Sequence, residues 1–230
     1  MIVSVFCPYG IVTASAGNDT FLEMREENKQ RILLQINMMG LPHNYVFWNK
    51  YALTYNVMNP HMLDSSFEDC LRVIENTWAS APNLSDFAEH LKKLLVTHKF
   101  QILGIISGFD CVDKSEIPYV YQILGENIRR ANVDIEGNIM YNCIYLEKTP
   151  LIWKLMQKSK ILNGDSWEEC KEIHLRCDLF SLEKSVDLCC FLLKTGNFIR
   201  NINSAKYREK LDIELIIQQT NNIEISKIHI

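Results

Sequence analysis

The chain lacks most of the signals from which a function is assigned directly. It has no glycine-rich phosphate-binding loop, no Walker sequence and no zinc-finger spacing of cysteine and histidine. No apolar run approaches the roughly 18–20 residues that span a bilayer. Met1 is followed by a strand-like run rather than by the basic and apolar regions of a secretory leader. We therefore expect a cytoplasmic protein with no membrane partner.

An excess of positive charge is also missing. The 24 Lys and Arg residues are outnumbered by 28 Asp and Glu residues, which gives a net charge of −4. Proteins that bind nucleic acid usually carry a basic patch, so no nucleic-acid partner is expected. The 230 residues are enough to bury roughly 70–75% of the unfolded surface without disulfides or metals. We predict one domain over residues 1–230.

The eight cysteines lie mostly within apolar periodic runs. Without a secretory leader, this pattern favours reduced, buried thiols over a disulfide framework. Cys170, His174 and Cys177 have the i, i+4, i+7 spacing of one helix face, which suits either three zinc ligands or an ordinary apolar stripe. Ligands from a single helix converge poorly, so the stripe is the preferred interpretation. No metal and no cofactor is predicted.

Hydrophobic periodicity and turn residues indicate the order of the secondary structure. Helices are expected after caps at Ser65 or Ser66, at Asn83 or Ser85, and at Ser181, with two more over residues 150–156 and 166–177. Strands are expected over residues 2–6, 11–16, 31–36, 46–48, 51–55, 101–110, 117–124, 129–133, 137–144, 211–218 and 223–230. Strands and helices are segregated rather than alternating, so the fold class is α+β with antiparallel sheets.

Two clusters allow more than one interpretation. The aromatic residues from Tyr45 to Tyr55 suit either core packing, which we prefer, or an interaction surface. The carboxylates of Asp110, Asp113 and Glu116 follow a strand and suit either a cation site or, as we prefer, a solvated loop.

Four stretches, in this order along most of the chain, are similar to the proteasome β-type fold of the N-terminal-nucleophile (Ntn) hydrolase superfamily. They are the N-terminal hairpin with Tyr9-Gly10 at its turn, Ile105-Ile-Ser-Gly-Phe-Asp110, Tyr119-Val-Tyr-Gln-Ile-Leu with Gly137-Asn138 downstream, and Ser181-Leu-Glu-Lys-Ser-Val-Asp-Leu188. The resemblance implies a four-layer α-β-β-α sandwich of two antiparallel sheets flanked by helices. It also implies self-association, so a homo-oligomer is expected.

Active members of that superfamily use a free N-terminal Thr, Ser or Cys as nucleophile, with its own α-amino group as base. The resemblance places this nucleophile at or just before Met1, where neither Met1 nor Ile2 carries a hydroxyl or thiol. The orienting Asp falls on Ser15 or Ala16, with Asp19 beyond the strand, and the activating Lys falls near Arg31. An arginine supplies charge but does not deprotonate in a protein. Met1, Ile2, Ser15, Ala16, Asp19 and Arg31 would then line a vestigial cleft.

Two functions follow from this pattern. The preferred one is a non-catalytic assembly or binding subunit. The alternative is an active amidohydrolase or peptidase whose N-terminus is exposed by processing, with Ser4 or Cys7 as the nucleophile. Removing the residues before Cys7 deletes most of the first strand, and Phe6 is not the small residue after which such enzymes cut themselves. A peptide or small-molecule ligand remains unidentified.

Overall fold

A computed structural model describes residues 1–17, 20–27, 30–37, 43–58, 66–78, 82–146, 160–163, 166–169, 175–202, 211–220 and 222–229. The chain divides into two compact units. One comprises Met1–Ser15 and Asn132–Ile230, and the other comprises Ala16–Ala131. The expectation of one domain over residues 1–230 stays a prediction.

Strands account for most of the described elements. They are β1 Ile2–Cys7, β2 Gly10–Gly17, β3 Thr20–Glu27, β4 Gln30–Asn37, β5 His43–Phe47, β6 Tyr51–Val57, β7 Ile102–Val112, β8 Ser115–Gly125, β9 Asn127–Arg130, β10 Asn142–Leu146, β11 Lys160–Asn163, β12 Ser166–Glu169, β13 Asp212–Gln219 and β14 Asn222–His229. The helices in the described residues are α1 Ser66–Thr77, α2 Leu84–His98 and α3 Leu182–Ile202. None of these helices is long and apolar enough to cross a membrane.

The first unit contains a five-stranded antiparallel sheet with the order β10-β1-β2-β13-β14. Every residue of β1 is buried, and β1 pairs with β10 on one side and with β2 on the other. A continuous apolar run such as Ile2, Val3, Val5 and Phe6 suits a strand covered on both faces. A Cβ added to Gly10 would collide with the carbonyl oxygen of Gln218 on β13, so glycine allows this close approach of the chains.

Helix α3 packs on this sheet through one face. Its start is capped by Ser181, whose Oγ accepts a hydrogen bond from the amide of Lys184 at 3.2 Å. The buried residues recur at helical spacing and include Cys189, Leu192 and Leu193. The thiol of Cys189 points to the carbonyl oxygen of Val12 at 3.6 Å, which fixes the helix over β2.

The second unit contains a meander of five antiparallel strands in the order β5-β6-β7-β8-β9. Helices α1 and α2 pack on it through the predicted stripes, which form one core cluster with the aromatic residues of β5 and β6. The rings of Phe47 and Phe87 lie 4.6 Å apart, and those of Tyr55 and Phe67 lie 5.0 Å apart. The aromatic residues between Tyr45 and Tyr55 therefore pack in or against the core, as preferred from the sequence.

Three sequence-based assignments of secondary structure are wrong. Residues 20–27 form β3, which pairs with β4, although the sequence predicts no strand between residues 16 and 31. Ser166–Glu169, predicted to begin a helix, forms β12 and pairs antiparallel with β11. The strand predicted over residues 137–144 lies instead at Asn142–Leu146, where β10 pairs with β1. The helix predicted over residues 150–156 lies outside the described residues.

Candidate functional site

The position at which the resemblance places a nucleophile is a core position. Met1 is only 4% exposed, and Ile2 is fully buried between Ser15 of β2 and Leu146 of β10. The hydroxyl of Tyr145 donates to the sulfur of Met1 at 3.3 Å. A thioether and a branched alkyl group have no proton to give up and cannot form an acyl or ester intermediate.

Three other residues of the predicted cleft lie in described strands, Ser15 in the first unit and Ala16 and Arg31 in the second. Ser15 and Ala16 are buried at the end of β2, and Ser15 lies directly opposite Ile2. Arg31 lies on β4, opposite Glu26, in a two-stranded sheet of the second unit. Asp19 lies outside the described residues. The structure therefore brings Met1, Ile2 and Ser15 together, and their side chains supply one hydroxyl and no ionisable group.

The alternative nucleophiles are also enclosed. Ser4 is fully buried, and its Oγ forms a hydrogen bond with Oγ1 of Thr13 at 3.0 Å. Cys7 is 2% exposed at the end of β1. A hydroxyl paired only with another hydroxyl lacks the general base that activates a serine. In this arrangement neither side chain can reach a substrate.

Of the three residues of the Cys-His-Cys spacing, only Cys177 lies within the described ranges. Cys170 and His174 lie outside the described residues, and Cys177 is buried in the short 3-10 turn Cys177–Leu179. Across the described ranges, no group of three His, Cys, Asp or Glu side chains is placed to hold a metal ion.

Burial makes Cys177 sensitive to alkaline pH. Desolvation, and then the proximity of Cys7 and Asp178, raises the pKa of Cys177 from 9 to about 11. Between pH 9 and 11 the thiol ionises in the unfolded chain but stays protonated in the fold. The contribution of the protonated thiol to the free energy of unfolding is therefore complete below pH 9 and is lost as the pH rises towards 11. We expect Cys177 to contribute about 1–3 kcal/mol to the fall in the free energy of unfolding over that window, beside the buried thiols of Cys143 and Cys189, whose pKa values burial also raises. Urea denaturation at several pH values measures this, and Cys177→Ala should reduce the fall; an unchanged fall would contradict the assignment.

A polar cluster that sequence reasoning missed lies in the second unit, around Asp110. One carboxylate oxygen of this buried residue accepts the hydroxyl hydrogen of Tyr51 at 2.5 Å and lies 3.4 Å from the ammonium of Lys50. The other accepts the backbone amide of Leu84, the first residue of α2, at 2.6 Å. The free amides at a helix N-terminus carry partial positive charge, so a carboxylate suits this position.

Gly108 explains how Tyr51 reaches Asp110. Tyr51 of β6 and Gly108 of β7 lie opposite each other, and a Cβ on Gly108 would collide with the Tyr51 ring. The ring of Tyr51 therefore lies over Gly108. Burial is the main cause that raises the pKa of the Tyr51 hydroxyl, and the hydrogen bond to Asp110 raises it further. The Gly108-Phe-Asp110 stretch is thus a structural latch that joins β6, β7 and the start of α2.

Asp110 does not act with the other carboxylates of the predicted acidic turn. Asp113 and Glu116 are exposed, whereas Asp110 points inward. Asp113 and Lys114 have φ values of 50° and 68°, which form the two-residue turn between β7 and β8. The preferred interpretation of a solvated loop therefore fits Asp113 alone, because Glu116 is an exposed residue of β8 that pairs with Cys111, and Asp110 is buried.

Known structures share this fold. An Anbu mutant from Hyphomicrobium sp. strain MC1 matches with a TM-score of 0.55 and 13% sequence identity, covering 100% of this chain and 86% of that one. Anbu from Yersinia bercovieri, described as an ancestral beta-subunit, matches with a TM-score of 0.48 and 12% identity, covering 99% and 85%. No protein-family model and no curated protein matches the chain.

The Hyphomicrobium match confirms the predicted fold class, α+β with two antiparallel sheets and flanking helices. Assignment to the proteasome β-type branch of the Ntn hydrolases is wrong as it stands, because the matching structure is named an Anbu protein and not a hydrolase of that name. At 13% identity the likeness concerns the fold alone.

Proposed function

We propose that this protein is a non-catalytic subunit of an assembly built from copies with an Anbu-like fold. One observation carries the proposal: the side chains of Met1 and of Ile2, the first residue of β1, are buried in the core at the place where the resemblance puts an N-terminal nucleophile. A scaffold without a nucleophile can still bind and assemble.

The burial of Ser4 and Cys7 argues against the enzymatic alternative. To serve as an N-terminal nucleophile, either residue must become the first residue of the chain, and its amino group must be free to act as base. Ser4 lies in the middle of β1, with hydrogen-bonded strands on both sides. Freeing it removes Ile2 and Val3, which are fully buried.

A peptide with an electrophilic group, followed by intact mass and peptide mapping, tests this proposal. We expect no adduct on residues 1–7 of the natively produced protein. Ser4→Ala and Cys7→Ala serve as matched controls, and the exposed thiol of Cys111 is blocked by substitution to Ser, because it can react without any catalytic site. An adduct within residues 1–7 that disappears in either alanine variant would overturn the proposal and restore the enzymatic alternative.

A further inference from the structure

The outer face of α3 carries five exposed residues in a straight row. They are Lys184, Asp187, Phe191, Lys194 and Phe198, which we call the outer seam of α3. Their spacing of three, four, three and four residues averages 3.5, the repeat that keeps a row of side chains facing a neighbouring helix. The opposite face, with Cys189 and Leu193, is buried against the sheet.

Two phenylalanines dominate this seam. Phe191 is 62% exposed and Phe198 is 52% exposed, and they lie seven residues apart on the same face. A single exposed apolar residue is ordinary. Two aromatic rings at heptad spacing form a strip that a second helix can cover, and aromatic residues are enriched at interfaces.

The charges around Phe191 indicate which helix covers it. Asp187 lies four residues before Phe191, roughly 6 Å along the axis, and Lys194 lies three residues after it, roughly 4.5 Å along the axis. A twofold axis beside Phe191 and perpendicular to the helix places a second copy of α3 antiparallel to the first. Asp187 of each copy then faces Lys194 of the other, which gives two opposite-charge pairs. Neither residue makes an ion pair within the part of the chain that the structure describes. Opposite charges at mirrored positions are what a self-complementary contact requires.

We propose that the outer seam of α3 is a docking surface for α3 of a second copy, packed antiparallel about a twofold axis at Phe191. This inference rests on the proposed function, since it supplies a contact through which such subunits assemble. The 21 residues of α3 give a strip of roughly 30 Å by 10 Å. That area is well below the roughly 800 Å² per partner of a standard interface. The contact by itself is therefore weak and depends on concentration.

Charge reversal across the axis gives a sharp test. Asp187→Lys places lysine against Lys194 of the other copy, and Lys194→Glu places glutamate against Asp187, so each variant creates two like-charge pairs. We expect each to weaken association at least about tenfold, measured by sedimentation equilibrium from roughly 10 to 500 µM. The double variant Asp187→Lys/Lys194→Glu restores both opposite pairs and should recover native association. An equimolar mixture of the two single variants should also recover it, by forming mixed pairs.

The controls make the same charge changes on an exposed face of α2. Glu89→Lys and Lys93→Glu should leave association unchanged. If the native chain associates but both α3 single variants associate equally well, this surface is wrong while the proposed subunit role stands. If the native chain stays a monomer at the highest concentration, both this pairing and the assembly role are wrong. The result with the electrophilic peptide is independent of either outcome.

Discussion

A chain shortened to begin at Cys7 is expected to lose its first five-stranded sheet and to unfold without a cooperative transition. The deletion removes Ile2, Val3, Val5 and Phe6, each at most 1% exposed. Burial of one such side chain stabilises a fold by about 1.5–3 kcal/mol, so four contribute about 6–12 kcal/mol. Whole domains are stable by only about 5–15 kcal/mol. The deletion also removes the strand that joins β10 to the rest of the sheet.

Urea denaturation followed by circular dichroism measures this effect, together with near-ultraviolet dichroism as a report on packing. A matched pair of point substitutions separates burial from chain length. Ile2→Ala, at a fully buried position, should cost about 2–5 kcal/mol, whereas Ile225→Ala, at a half-exposed position of β14, should cost less than about 1 kcal/mol. A shortened chain that unfolds cooperatively near the native midpoint would contradict this account of β1. It would also make Ser4 or Cys7 credible again as an exposed nucleophile.

The parts of the fold that sequence predicted well depend on local signals. The apolar spacing of Phe67, Leu71 and Ile74 defines the buried face of α1, and the Ser181 cap defines the start of α3. Both signals act within one or two helical turns, so they can be recognised without the rest of the chain. The terminal hairpin of β13 and β14 is equally local, because its strands are close in sequence.

Pairings between distant segments were not predictable in this way. Asn142–Leu146 pairs with the first strand of the chain, about 140 residues away, and no local pattern distinguishes it from a continuation of the meander. The same holds for Asp110, whose partners Tyr51 and Leu84 lie 59 and 26 residues away. The candidate nucleophile position stays a prediction, made by counting back from Gly10 at the hairpin turn.

Asp110→Ala is expected to destabilise the second unit by about 3 kcal/mol. The substitution removes the acceptor for the Leu84 amide and for the Tyr51 hydroxyl and leaves the ammonium of Lys50 without its carboxylate. Loss of a buried charged acceptor costs about 3–5 kcal/mol, and because Lys50 is 40% exposed we take the lower end. Chemical denaturation measures the total, and hydrogen exchange at Leu84 and its neighbours should report fraying at the start of α2.

Substitution of aspartate by asparagine at two positions distinguishes the loss of the Asp110 hydrogen bonds from the loss of one negative charge. Asp110→Asn keeps one acceptor oxygen but turns an N–H group towards one of its donors, so it should cost about 1–2 kcal/mol. Asp113→Asn makes the same change at an exposed turn position with φ of 50°, a conformation that asparagine tolerates, and should cost less than about 0.5 kcal/mol.

A double-mutant cycle with Tyr51→Phe completes the test. Because Tyr51 and Asp110 share a hydrogen bond, the double variant should be less destabilised than the sum of the single variants by about 1 kcal/mol or more. Strict additivity would mean that the two side chains act separately. Asp110 would then serve only as a cap for α2, and Gly108 would have no role beyond making room for a ring.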